Sequence, residues 1–151
     1  MSLAAIALNR NARPIASLSA RKKRTLVVDD SATILHAICA LLEHHEVVEI
    51  VGRLENGRDT IDAVLELQPE LVLLDADMPG MSGLRIALLI SQMHAGTEIV
   101  LMSMDTSDQF QSACAACGAD AMIYKPKFLR ELRAYLAQSR EKSRTASRVG
   151  A

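Results

Sequence analysis

Between residues 25 and 137 the sequence alternates five times between a short apolar run and a longer stretch with helical spacing. The runs, at 25–29, 47–52, 70–75, 97–103 and 119–124, are rich in Val, Ile and Leu and lack clean apolar–polar alternation. Such runs suit strands of a parallel sheet covered on both faces, and each is too short for a helix. The intervening stretches carry helix signals. Ser31 can cap the first, whose Ile34, Ile38, Leu41 and Leu42 fall three or four residues apart, and Ile61, Val64 and Leu65 repeat in the second. The third follows the turn pair Pro79-Gly80 with Ser82 as its cap and runs through 84–93, and Gly118 closes the fourth. Pro126 suits the first turn of the fifth, where Leu129, Leu132 and Leu136 form an apolar stripe. The pattern predicts an α/β fold, a doubly wound (βα)5 domain with a five-stranded parallel sheet.

A chain of 151 residues with half its residues hydrophobic can bury one core of this size, and no apolar run approaches the roughly 18 residues of a membrane span. The net charge of −1 conceals segregation. Residues 1–24 hold six basic residues and no acid, residues 25–136 hold seven basic and seventeen acidic, and residues 137–151 hold four basic and one acidic. An acidic body without Trp and with only two Tyr and two Phe argues against direct DNA binding. Three cysteines, Cys39, Cys114 and Cys117, form no disulfide framework and point to a reducing, cytoplasmic setting. Cys114 and Cys117 read as buried small residues rather than a metal or redox pair. The four histidines show no ligand spacing.

Ligands of open α/β sheets bind beyond the carboxyl ends of the strands. Here the first strand ends in Asp29-Asp30, the third in Asp75 and the fourth in Ser103, and the fifth is followed by Lys125-Pro126. Converging carboxylates repel one another unless a cation compensates them, and hard oxygen donors with room for water suit Mg²⁺ better than zinc. A carboxylate nucleophile, a metal, an ammonium and a hydroxyl make up a phosphoryl-transfer site in outline. The glycine-rich loops of nucleotide enzymes are absent from the sequence.

Val27-Val28-Asp29-Asp30-Ser31, the run Leu73-Leu74-Asp75-Ala76-Asp77-Met78-Pro79-Gly80-Met81-Ser82-Gly83, Leu101-Met102-Ser103, and Gly118-Ala119-Asp120 followed by Lys125-Pro126 resemble the receiver domain of two-component response regulators, which has a flavodoxin-like fold. The resemblance covers about three quarters of the chain, residues 25–137, with 1–24 expected as a disordered basic tail and 138–151 as a basic polar tail. It implies that Asp75 is the phosphoacceptor, that Asp30 and Asp75 bind Mg²⁺ directly, that Asp29 holds it through water, and that the backbone carbonyl of Asp77 is a further ligand. Lys125 would bind a phosphoryl oxygen, placed by a cis Lys125–Pro126 bond, and Ser103 would be the switch hydroxyl.

The implied function is that of a stand-alone response regulator. A histidine kinase or histidine phosphotransfer protein would phosphorylate it, and it would signal through a partner at the face of helix 4, strand 5 and helix 5. It would act as a phosphoacceptor and not as an enzyme turning over a separate substrate. An aspartyl phosphate is a labile mixed anhydride, so such a signal limits itself. The stretch after Leu136 is too short for a helix-turn-helix, and the fourth helix, with Asp108 amid Gln109, Phe110, Gln111 and Ser112, lacks the charged pairing surface of dimerising receivers, so a monomer is expected.

Two positions depart from the family pattern. Met122 stands where an aromatic residue is usual, which predicts a softer surface change because Met repacks in many rotamers. Met104 replaces a small residue after Ser103 and is expected to narrow the approach to Asp75. The basic run Arg21-Lys22-Lys23-Arg24 is read as solvated tail, with an acidic partner or the acidic body as other contacts. Competing functions are a phosphorelay shuttle that returns phosphate to a histidine and an unphosphorylated constitutive adaptor. A haloacid-dehalogenase-like phosphatase, suggested by Asp75-x-Asp77, conflicts with an acidic pair that precedes the nucleophile strand.

Overall fold

A computed structural model describes residues 21–150; the sequence expectations for 1–20 lie outside the described residues. Five strands and five helices alternate: β1 (Lys23–Val28), α1 (Ala32–Leu42), β2 (Val48–Leu54), α2 (Thr60–Leu67), β3 (Leu71–Asp75), α3 (Gly83–Met93), β4 (Glu98–Ser103), α4 (Asp108–Ala116), β5 (Ala121–Tyr124) and α5 (Phe128–Val149). All strand pairs are parallel, in the order β2-β1-β3-β4-β5. The chain therefore winds one way from β1 to β2 and the other way from β3 to β5, leaving a crevice between β1 and β3 at their carboxyl ends.

The side-chain period of two divides the strands between two cores. Leu71 and Leu73 of β3 and Val100 and Met102 of β4 face α1 and α5, meeting Leu35, Ile38, Cys39, Leu42, Phe128, Leu132 and Leu136. Their neighbours Val72, Leu74, Ile99 and Leu101 face α2, α3 and α4, meeting Val64, Ile86, Ile90, Phe110 and Cys114. β3, buried at all five positions, lies at the centre of the sheet, where the sequence showed an unbroken apolar run. Cys39, Cys114 and Cys117 are free thiols buried in these cores, as expected for Cys114 and Cys117. Burial pushes the Cys114 thiol up to about 11, which keeps it protonated and unreactive.

The predicted caps form: Ser31 Oγ accepts from the Ile34 amide, and Ser82 Oγ accepts from Arg85. Gly118 follows α4 at φ +82°, in the left-handed region. Several expectations need correction. The buried stripe of α1 is Leu35, Ile38, Cys39 and Leu42, whereas Ile34 and Leu41 face outward, because the helix meets the sheet about one residue further round than the predicted spacing. Among the described residues no peptide bond is cis, so Lys125–Pro126 is trans; Lys125, Pro126 and Lys127 form a 3₁₀ turn that leads directly into α5.

α5 also continues to Val149 rather than giving way to a tail at 138. Residues 137–149 contain neither Gly nor Pro, and Ser143, Thr145 and Ser147 donate to carbonyls four residues back, within the helix. The basic run at 21–24 is likewise not a free tail. Lys23 and Arg24 begin β1, Arg21 pairs with Glu70 at 2.6 Å, and the Arg24 guanidinium donates to the carbonyls of Leu67 and Gln68.

Lys23 reaches Glu98 at 2.7 Å, in a polar cluster that the sequence reading missed. Its ammonium also donates to Ser139 Oγ, and Tyr135 and Ser139 of α5 donate to the Glu98 carboxylate. This cluster fixes the middle of α5 to the amino ends of β1 and β4.

Candidate functional site

The crevice at the carboxyl ends of β1 and β3 collects the predicted acids. Asp29 follows β1 and is fully buried, Asp30 is exposed beside it, and Asp75 is the buried last residue of β3. One carboxylate oxygen from each of Asp29, Asp30 and Asp75 lies within 4.8 Å of the other two. Backbone amides orient two of them: Asp29 Oδ1 accepts from the Ser31 amide at 2.9 Å, and Asp75 Oδ1 accepts from the Asp77 amide at 3.0 Å.

Lys125 closes the site from the end of β5, its Nζ 2.8 Å from Asp29 Oδ2 and 3.2 Å from Asp75 Oδ1. The Asp29 contact is an ion pair that is not aligned as a hydrogen bond. Asp29 Oδ2, with almost no solvent access, has charge compensation but no directed donor. Burial alone would lower the Lys125 pKa, but the short Asp29 contact and the charges of Asp75 and Asp29 outweigh it and hold the pKa above its usual value. The Asp30 carboxyl is held above the ordinary carboxylate range, first by the neighbouring Asp75 carboxylate, with which it can share a proton, then by desolvation and by the charges of Asp75 and Asp29. Three acids so close need a proton or a cation among them. The buried oxygen without a directed donor and the all-oxygen donor set fit a hard divalent cation such as Mg²⁺.

Ser103, buried at the end of β4, donates from Oγ to Asp77 Oδ2 and accepts from the Asp105 amide, both at 2.9 Å. The sequence reading placed Asp77 in the site by its backbone carbonyl; the structure adds its carboxylate as the acceptor that holds Ser103. The spacings Asp75-x-Asp77 and Ser103-x-Asp105 were the available signals for these two contacts. The amino end of α3 presses against the end of β3, and a Cβ on Gly83 would collide with the Asp75 carbonyl oxygen and stand 2.7 Å from Ala76 Cα. Met104 is 62% exposed, while Met122 is half-buried against the core that contains Phe110 and Cys114.

Fold and site together define a doubly wound α/β domain whose carboxyl edge is built around an aspartate cluster and a lysine. The chain belongs to the response regulator receiver domain family, whose model matches residues 25–137. It is 32% identical over 106 residues to protein-glutamate methylesterase/protein-glutamine glutaminase 3 of Geobacter sulfurreducens, covering 70% of this chain and 28% of that protein. A protein of the same description from a Nocardioides species is 36% identical over 104 residues, covering 69% and 28%. The chain thus spans less than a third of the length of these curated relatives.

Among solved structures, the response regulator domain of Thermotoga maritima CheB aligns with a TM-score of 0.69 at 25% identity, covering 80% of this chain and 96% of that one. The receiver domain of NarL from Mycobacterium tuberculosis aligns with a TM-score of 0.66 at 25% identity, covering 70% and 85%. Receiver domains interact with histidine kinases and with downstream effectors. Among the described residues no helix is long and apolar enough to cross a membrane.

Proposed function

We propose that this receiver takes a phosphoryl group on Asp75 from a phosphohistidine of a kinase or phosphotransfer protein and passes the signal on by protein–protein contact. The observation that carries the reading is the meeting of Asp29, Asp30 and Asp75 within 4.8 Å, with Lys125 2.8 Å from Asp29 and 3.2 Å from Asp75. An Asp75 carboxylate oxygen attacks phosphorus, the new O–P bond forms as the N–P bond breaks, and the electron pair stays on the imidazole nitrogen. Bound Mg²⁺ would offset the negative charge of the incoming phosphoryl group. Asp30, Asp75 and the carbonyl of Asp77 would hold it directly and Asp29 through water.

Lys125, whose ammonium lies 3.2 Å from Asp75 Oδ1, would take a phosphoryl oxygen. The Ser103 hydroxyl, which donates to Asp77, would transfer its hydrogen bond to another phosphoryl oxygen and draw the loop between β4 and α4 inward. The change would reach the face of α4, β5 and α5 through half-buried Met122, with the downstream partner reading that face. The protein is the acceptor in this scheme and turns over no second substrate; the esterase and glutaminase activities in the relatives' names belong to proteins more than three times the length of the match.

Intact mass spectrometry after incubation with Mg²⁺ and acetyl phosphate tests the reading. The expected result is one phosphoryl adduct that needs metal, is cleaved by hydroxylamine and is absent from Asp75→Asn. Failure with both acetyl phosphate and a phosphorylated histidine phosphotransfer protein, or an adduct that survives Asp75→Asn, would overturn it.

A further inference from the structure

At the amino edge of the sheet, opposite the aspartate cluster, the start of β1 and the second half of α5 enclose a cleft of about 490 Å³. Its lining includes Arg21, Lys23, Glu70, Ser139, Arg140 and Arg144. Lys23 and Ser139 are committed to Glu98, and Arg21 is paired with Glu70 on the rim, with its side chain 75% exposed. Arg140 and Arg144 are exposed and pair with no carboxylate among the described residues. Of the charged residues that line the cleft four are cationic, Arg21, Lys23, Arg140 and Arg144, and one, Glu70, is anionic. The cleft is therefore a cationic pole on a body that is acidic elsewhere.

We propose that this cleft docks an extended acidic peptide segment of a partner protein, with carboxylates at alternate positions on Arg140 and Arg144. The two arginines are four apart on one helix face, so their Cβ atoms are ~6 Å from each other. Alternate side chains of an extended strand are ~6.6 Å apart, a matching interval. Guanidinium groups bind carboxylates through paired hydrogen bonds. From Leu136 to Arg144 the helix rises ~12 Å, room for three or four extended residues.

Charge and shape exclude other occupants. Residues 1–20 contain Arg10 and Arg13 and no acid, so they supply no carboxylate for Arg140 and Arg144. A long nucleic acid would overrun the cationic pole onto the acidic body and would meet Glu70 at the cleft wall. A bilayer is flat and needs apolar anchors, but the outer half of α5 exposes only Val149 as a large hydrophobic residue.

Fluorescence anisotropy at 0.15 M salt tests the proposal with the full chain and a labelled decapeptide of alternating Glu and Ser. Saturable binding is expected, weakened at least tenfold by Arg140→Glu/Arg144→Glu and by Arg140→Gln/Arg144→Gln, and unchanged by Arg58→Glu/Arg130→Glu, which alters net charge equally elsewhere. Circular dichroism of the variants checks that α5 stays helical. Absence of peptide binding, equal loss in the Arg58/Arg130 control, or tighter binding to an oligonucleotide or to anionic phosphatidylserine vesicles would overturn it. So would a salt-sensitive dimer that disappears in Arg140→Glu/Arg144→Glu, which would make a second copy of the chain the occupant.

Discussion

Replacing Lys125 by Met keeps the length of the side chain and removes its charge from a site where two buried carboxylates depend on it. Asp29 is fully buried and Asp75 nearly so, at 2.8 and 3.2 Å from the ammonium. At an effective dielectric of about 20 these distances correspond to gross attractions of about 6 and 5 kcal/mol, much of which is offset by desolvation of the ammonium. Removing one partner strands the others, so the net loss should be about 3 kcal/mol. For a domain of this size that lowers Tm by about 12 °C.

The Lys125 pKa is raised by folding, so its contribution is full below the unfolded value of 10.5 and fades as pH rises through the higher folded value. Urea unfolding at pH 7 without metal, for wild type, Lys125→Met, Asp29→Asn and the double variant, isolates the pair. The Lys125→Met loss should fall by at least half in the Asp29→Asn background. It should also fall in millimolar Mg²⁺ if the cation compensates the same carboxylates. A loss under about 1 kcal/mol, or an equal loss in both backgrounds, would refute the assignment of Lys125 as the counter-charge of Asp29.

Glu98 supplies the acid-side prediction. Burial pushes its carboxyl up, but hydrogen bonds from Lys23, Tyr135 and Ser139 and the Lys23 charge bring it below 4.5. Its contribution is therefore present above the unfolded value and lost as pH falls through the folded one; Glu98→Gln should cost about 1–3 kcal/mol at pH 7 and flatten the acid limb of the urea stability profile, whereas an unchanged profile would show the cluster is idle. Gly83→Ala should cost about 2–3 kcal/mol by pushing α3 off the Asp75 carbonyl, and should slow formation of the Asp75 phosphoryl adduct; wild-type stability in urea would mean that the helix end yields without strain.

The sequence alone determined the α/β class, the order of elements and the membership of the acidic edge. Each follows from local rules: strand-length apolar runs, helical spacing, caps at Ser31 and Ser82, and polar residues where strands end. The family resemblance assigned roles to those residues, and the family match covers the same span, 25–137.

Tertiary structure decided what depends on distant partners. The Glu98 cluster joins residues 75 and 41 positions away, and the pairs Arg21–Glu70 and Arg24–Leu67 span 49 and 43. No local pattern separates such residues from solvated charges. The same holds for α5: a polar, glycine-free stretch reads as tail until Ser139 and Tyr135 find Glu98 and tie the helix down. Neither the trans Lys125–Pro126 bond nor the outward turn of Ile34 and Leu41 is legible in the local sequence. Cis and trans forms before proline differ by only ~1 kcal/mol, and the rotation of a helix on a sheet is fixed by the side chains it meets rather than by its own period.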